Sequence, residues 1–326
     1  MSRVTLRDVA ERAGVSTAAI SQALNDRGNL RPETRERIKA IAAELGYSPN
    51  KHAAALRSGR TMSIGFVMPD DADDDTAKSW AFAHNRQLNS LVRASAAHGF
   101  TVTVLPASRP DLLATAQLDA LYLADARTGA ELLRAAASRG LPVIARDLYV
   151  DVDRALSIRT GYDAALHAGL DHLAGAGARR VALLVDEGDH PRDEIARTGY
   201  LAWTTVHGVD PLVVEVDPAH RTLARRVRDA LDAGAEAILA FCEDGPEIYL
   251  QLEAMPLVIP RDVQLLALCS TDCALNERLG VTHLCVHPEL AADAVFPSLG
   301  ALVPAPPGAP VVVDLPWELV RGSTTR

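Results

Sequence analysis

Long apolar runs are missing from this sequence, and none approaches the ~18 residues that a membrane-spanning helix needs. The N-terminus is charged from Arg3 onward and holds no apolar stretch of the secretory kind, so a soluble cytoplasmic protein without membrane association is expected. Aromatic side chains make up only 4% of the chain, which leaves aliphatic residues and alanine to fill the core. Cysteine is sparse and lies wholly in the last third, at Cys242, Cys269, Cys273 and Cys285. With no Cys-x-x-Cys pair among them, buried thiols in a reducing compartment are expected rather than a metal or a disulfide.

What is present points to a globular protein of two or three domains, since 326 residues exceed one ordinary domain and 48% are apolar. The net charge of −9 argues against a nucleic-acid partner until it is divided. Residues 1–60 hold eleven Lys and Arg against six Asp and Glu, a balance of +5 that leaves −14 for the remainder. A small basic head on an acidic body is the asymmetry of a chain that meets phosphates at one end.

The head has a readable plan. Leu6, Val9 and Ala10 share one helical face, and Ala13-Gly14-Val15 makes a tight turn. Ser16 then caps a second helix through Asn25 whose inner face is Ile20, Ala23 and Leu24. Two short helices around a Gly-containing turn form the helix-turn-helix signature. A third helix opens at Pro32, buries Ile38, Ile41, Ala42 and Leu45, and stops at Gly46. With the second helix in a major groove, Thr17, Ala18, Ser21 and Gln22 face base edges; Gln22 suits adenine, and the methyl groups of Thr17 and Ala18 suit thymine. An ordinary three-helix bundle with a polar outer face is the bland alternative. Ser48-Pro49-Asn50 opens a further short segment, 51–57, in which Leu56 reads either as an apolar wedge for the minor groove, flanked by Arg57 and Arg60, or as a stray leucine in a flexible linker.

These residues resemble the lactose-repressor (LacI/GalR) family. Val4-Thr5-Leu6-Arg7-Asp8-Val9-Ala10, Ala13-Gly14-Val15-Ser16, Leu24-Asn25, Glu33-Thr34-Arg35-Glu36-Arg37 and Leu45-Gly46-Tyr47-Ser48-Pro49-Asn50 carry the resemblance in the head. Leu315-Pro316-Trp317-Glu318-Leu319-Val320-Arg321-Gly322-Ser323-Thr324 is similar to the family's closing strand. The resemblance implies base contacts from Thr17, Ala18 and Gln22, phosphate contacts from Thr5, Ser16, Asn25, Thr34 and Asn50, and Tyr47 packing nearby. It implies a hinge helix over 49–57 with Leu56 as its lever. Ala19-Ile20-Ser21-Gln22, Arg31 and Ala53-Ala54 depart from the usual family residues, so the outer bases of the operator should differ from the common family site.

Behind the head, strand-like runs alternate with helical stretches. Strands are expected at 63–68, 101–105, 118–123, 142–145, 181–185, 212–216, 237–241 and 263–268, and helices at 81–98, 129–139, 161–175, 194–207 and 220–233. The fold class is therefore an all-α helix-turn-helix head plus an α/β body with parallel sheets; the resemblance makes that body two-lobed and periplasmic-binding-protein-like. The expected organisation is a DNA-binding domain over 1–47, a hinge over 48–60 and an effector-binding and dimerisation domain over 61–326. Its lobes would comprise 61–158 with 288–308, and 159–287 with 309–326. Between Leu105 and Leu118 there is little room for the usual helix.

Catalysis is not expected. Gly175-Ala176-Gly177-Ala178 follows a helix and precedes a strand, the reverse of a dinucleotide fingerprint, and there is no phosphate-binding loop. His283, Cys285 and His287 alternate along one strand face and can in principle hold a metal, but a half-buried strand accounts for the same pattern and is preferred. No cofactor is expected. For a small-molecule effector, a sugar or a related compound, the resemblance points to Arg197 and Asp244, although these two are equally readable as an ion pair between lobes. Trp80 and Phe82 are stacking candidates or core residues, and Asp147 is a weaker candidate or a solvated loop acid. Ala267-Leu268-Cys269-Ser270 stands where the family carries a ligand-gripping carboxylate, and Arg159 where it carries an Asp. A homodimer on a double-stranded, near-palindromic operator is expected, and the absence of a leucine-heptad tail favours it over a tetramer.

Overall fold

Thr5 opens the first helix, α1 (Leu6–Ala13), with a reciprocal capping box: its backbone N–H donates to Asp8 Oδ2 at 2.7 Å and the Asp8 N–H donates to its hydroxyl at 3.4 Å. The computed structural model describes residues 4–24, 28, 30–47, 60–68, 77–123, 130–147, 154–188, 190–217, 219–242, 244–269, 273–287, 290–302 and 311–326, with backbone alone for 77–83, 130 and 300–302. They fall into two compact units, residues 1–62 and 63–326.

In the first unit Gly14 ends α1 in the left-handed region at φ 66°, its N–H bonded to the carbonyls of Ala10 and Glu11. The Ser16 hydroxyl then accepts from the Ala19 N–H at 3.2 Å and starts α2 (Thr17–Leu24). Pro32 takes the first turn of α3 (Pro32–Glu44), and Gly46 turns the chain away at φ 65°. Val9, Ile20, Ala23 and Ile38 are wholly buried where the three helices meet, with Ile41, Leu45 and Tyr47 packed at the margin. A Cβ at Gly14 would meet nothing within 4 Å, so the cost of Gly14→Ala is backbone strain alone, about 1–2 kcal/mol. Hydrogen exchange of the α1 and α2 amides should accelerate accordingly; unchanged protection would show that the turn tolerates a side chain.

The second unit is built on two six-stranded sheets. The first has the order β11-β5-β4-β3-β1-β2 and is wholly parallel, from β1 (Ser63–Met68), β2 (Thr101–Pro106), β3 (Ala120–Leu123), β4 (Val143–Arg146), β5 (Ala155–Arg159) and β11 (Val311–Asp314). The second has the order β12-β10-β9-β8-β6-β7. Its strands β6 (Val181–Asp186), β7 (Val213–Val216), β8 (Ala237–Ala240), β9 (Gln264–Cys269) and β10 (Thr282–Cys285) are parallel, and β12 (Glu318–Val320) runs antiparallel on the edge.

Both faces of each sheet are covered, which is why the central strands read as continuous apolar runs. In the second sheet Val181, Leu183 and Val185 pack with α6 (Tyr162–Gly175) and α7 (Pro191–His207). Ala182 and Leu184 point the other way, toward α8 (Leu223–Asp232) and α9 (Gly245–Glu253). In the first sheet Ile64 and Phe66 face α4 (Ala77–Ala97) and α11 (Leu290–Leu302), while Val67, Leu121 and Leu123 face α5 (Ala130–Ser138) and the 3₁₀ turn Pro110–Ala114. That 3₁₀ turn is all that fits in the shortened connection between β2 and β3. One further helix, α10 (Cys273–Leu279), lies beside β10.

Several expected bounds are corrected. The helix expected at 220–233 starts only at Leu223, because His220 sits at φ 54° and cannot belong to a right-handed helix. The helix expected from 194 begins at Pro191, capped by His190 through its Nδ1. The second lobe was expected to take in all of 309–326, but β11 pairs with β5, so the chain returns to the second sheet between Asp314 and Glu318. Among the described residues no helix is long and apolar enough to cross a membrane.

Candidate nucleic-acid interface and effector site

On the head, Ser16, Thr17, Ala18 and Gln22 are exposed, while Ile20 and Ala23 of the same helix are buried. Ser21 is half-buried, so it is turned further inward than its expected base-facing role implies. The Gln22 amide lies over Gly28, where a Cβ would come within 2.7 Å of its Cδ. Gly28, at φ 73°, therefore leaves room for that side chain, and Arg35 Nη2 fixes the Gly28 carbonyl at 3.1 Å. Arg37 Nη2 donates to the Ala13 carbonyl at 3.3 Å across the turn. Arg31 is exposed at the start of α3 and makes no capping bond with its side chain. Thr5 is exposed, its hydroxyl donating to Asp8 Oδ2 at 2.8 Å; Thr34 is half-buried and Tyr47 packs on the head core. Asn25, Asn50, Ala53, Leu56 and Arg57 lie outside the described residues.

In the body, the carboxyl ends of the strands gather the polar side chains that burial would otherwise forbid. Strand order reverses between β6 and β8, and at such a switch point the chain leaves a crevice outside the strand ends. Asp186 ends β6 fully buried and receives two cations. Arg192 Nη2 donates to its Oδ2 at 2.6 Å, and His220 Nε2 stands 2.9 Å from its Oδ1. The other nitrogen of His220, Nδ1, is bonded to Asp244 Oδ2 just before α9. Arg192 also meets Asp193 at 3.2 Å. The result is a continuous chain Asp244–His220–Asp186–Arg192–Asp193.

Its electrostatics follow from that geometry. Burial opposes a charge on His220, but its hydrogen bonds to Asp186 and Asp244 outweigh burial and raise its pKa to about 10, which makes it an imidazolium at neutral pH. Burial lifts Asp193 to about 6, with Arg192 pulling the other way.

The first sheet holds a smaller counterpart. Asp147, at φ 53° after β4, accepts from the Thr160 N–H at 2.6 Å and from the Thr160 hydroxyl, and Arg146 Nε lies 3.4 Å from its Oδ2. Burial pushes its carboxyl above the usual range, opposed by Arg146 and Thr160. Asp147 is thus no solvated loop acid.

Of the expected effector residues, Asp147 belongs to the first sheet, whereas Arg197 and Asp244 both reach Asp186, Arg197 at its carbonyl and Asp244 through His220. Arg197 donates to the carbonyls of Asp186 at 2.6 Å and Gly188 at 3.1 Å and meets Glu215 at 3.1 Å. Asp244 pairs with His220, so the reading of Arg197 and Asp244 as an ion pair is corrected: each has another partner. Arg159, standing where the resembling family has an Asp, makes an exposed two-pronged bond to Asp314 at 2.6 and 2.9 Å, joining β5 to β11. Trp80 and Phe82 fall within α4, but their side chains lie outside the described residues. Sequence reasoning missed Asp186, Arg192, Asp193 and His220. A carboxylate directly at the end of an apolar strand was the one available signal, and it concerned Asp186 alone.

Comparison with known proteins adds independent findings. Residues 5–50 match bacterial regulatory proteins of the lacI family, and residues 170–325 match a periplasmic binding protein-like domain. The sucrose operon repressor of Klebsiella pneumoniae is 51% identical over 71 residues, 21% of each chain. The maltose regulon regulatory protein MalI of Escherichia coli is 28% identical over 255 residues, which span 76% of this chain and 70% of MalI. A lac repressor dimer solved with operator and the anti-inducer ONPF has the same fold, with a TM-score of 0.74 at 20% identity over 99% of both chains. The match to the sucrose operon repressor spans only about a fifth of that protein, and it falls short of that repressor's whole length.

Proposed function

This chain belongs to the lacI family of bacterial regulatory proteins, and from that premise we propose that it is a transcriptional repressor that binds a near-palindromic operator as a dimer. It is a regulator, not an enzyme, and works where the DNA is, in the cytoplasm. The observation that carries the reading is the basic head whose α2 presents Thr17, Ala18 and Gln22 outward while Ile20 and Ala23 anchor the helix. A second helix so presented enters the major groove by its N-terminal end, and dimer symmetry places two heads on two half-sites. Basic residues supply phosphate attraction, which makes binding fall with salt.

The small molecule belongs at the carboxyl ends of the body's strands. We read it as a sugar or sugar derivative, by extension from relatives named for a sucrose operon and a maltose regulon. Asp244 supports this: its Oδ2 is taken by His220, it remains one-third exposed, and a carboxylate has a second oxygen to accept from a hydroxyl. A ligand that prefers one arrangement of the lobes changes operator affinity by its differential binding, typically ~1–3 kcal/mol.

Selection of bound sites from a random duplex pool tests the proposal. Enrichment of a near-palindrome with salt-dependent affinity is the expected result, and the absence of any enriched sequence would refute it. On the selected site, Gln22→Ala should cost about 1–3 kcal/mol and relax the preference at one base pair per half-site. A uniform loss over all sequences would move Gln22 from the bases to the phosphates.

A further inference from the structure

We propose that the second sheet carries a binding site for a thiophilic divalent cation of the zinc type, held by Cys269, Cys273, Cys285 and His287. The sheet gathers there residues that the sequence spreads over 269–287, none of them part of the DNA-binding head.

Cys269 ends β9 and Cys285 ends β10, and the two are direct neighbours in parallel register, so both side chains leave the same face. Cys273, the first residue of α10, reaches over them: its Sγ is 3.0 Å from that of Cys269 and 2.9 Å from that of Cys285. Two residues beyond Cys285, His287 sits at φ 44°, a left-handed backbone that costs a residue with a Cβ and is retained where surroundings enforce it. That conformation sets its Nδ1 3.7 Å from Cys285 Sγ. Its Nε2 meets Glu318 Oε1 of β12 at 3.5 Å. Ligand atoms of Cys285, His287 and Glu318 all lie within 4.8 Å of one another.

Three thiols and one imidazole form a donor set of structural zinc. The carboxylate behind the imidazole is the partner that orients a metal-ligating histidine and fixes its tautomer. Sulfurs bound tetrahedrally at 2.3 Å stand ~3.8 Å apart, so the Cys273 sulfur must draw less than ~1 Å farther from those of Cys269 and Cys285 to admit an ion. A disulfide explains less, because it joins two sulfurs, strands the third and leaves the His287–Glu318 pair without a part. His283, expected on the same strand face, takes no part: it is buried, with Nδ1 held at 2.9 Å from the Val281 carbonyl. Binding would release one proton to solvent from each thiol that becomes a thiolate ligand.

The test titrates cobalt(II) into the reduced, chelator-treated full-length protein without oxygen. One cobalt per chain is expected, with thiolate-to-cobalt charge transfer in the near ultraviolet, intense tetrahedral bands in the visible, and displacement by zinc. Cys273→Ser should remove about a third of the charge-transfer intensity, one thiolate of three, and weaken binding. Cys273 is partly exposed at a helix start, so the variant should keep its circular dichroism. His287→Gln should weaken binding while the charge transfer persists, and Cys242→Ser, a buried thiol elsewhere in the core, should change neither. Absence of charge transfer, parental binding by Cys273→Ser, or a protein whose mass is lower by two hydrogens and which ignores cobalt once reduced would each overturn the site.

Discussion

Replacing Arg192 with methionine should lower the unfolding free energy of the body by about 3–5 kcal/mol, because it removes one partner of a buried charge network and leaves the others in place. The side chains of Arg192, Asp186 and Asp193 are 3%, 0% and 1% exposed, so water cannot replace the lost guanidinium. Methionine keeps most of the apolar volume, which assigns the loss to charge rather than packing. Urea denaturation at pH 7 measures it. The loss should shrink at pH 5, since Asp193, already lifted to about 6, is then protonated and no longer needs a cation. Adding Asp193→Asn to the variant should recover part of the loss at neutral pH for the same reason. A destabilisation below about 1 kcal/mol would mean that the network is hydrated and contributes as a surface pair does.

The second large effect is on pH dependence. The pKa of His220 rises from 6.5 in the unfolded chain to about 10 in the fold, so the native state holds the proton more tightly. Its contribution is complete below pH 6.5 and is lost as pH climbs through 10, on the order of 3–5 kcal/mol for a shift of this size in a side chain 12% exposed. Asp193 acts in a separate window: its raised pKa favours the fold at low pH, and that share is lost between 3.8 and about 6. Urea midpoints should therefore fall steadily from pH 7 to 10, and His220→Gln should flatten that slope while lowering stability at neutral pH. An imidazole proton resonance of His220 that titrates near 6.5 would remove the basis for both statements.

The network also bears on function, because Asp244 is at once a partner of His220 and the acceptor proposed for a ligand hydroxyl. A ligand that engages Asp244 acts on the same chain of charges that reaches Arg192 through Asp186. Stability and effector binding should therefore share one pH dependence, and a ligand-induced thermal shift measured across pH 7–10 would reveal that coupling.

The helices of the head were legible because the signals that set them are local. Thr5 and Asp8 sit three residues apart, Gly14 and Gly46 allow the left-handed turns, and Pro32 fits a first helical turn; none of these needs a distant partner. The central strands were legible because burial on both faces writes itself as an unbroken apolar run, as in Val181–Val185 and Leu265–Leu268. Elements with mixed signals escaped. Strand β5 interrupts its apolar run with Ser157 and ends on Arg159, α9 opens on Gly245-Pro246, α11 carries Pro297 inside it, and β11 is an edge strand with Val311 and Val312 exposed.

The sequence by itself thus determined the outward face of α2 and the alternation of strand and helix, since periodicity and capping act over a few residues. Only the tertiary structure decided which charges and thiols meet. Asp186, His220 and Asp244 become neighbours because β8 lies beside β6 and not beside β7, and Cys269 and Cys285 because β9 and β10 pair in a particular register. Strand order and register are settled by the packing of whole faces, a property of no single segment of the chain.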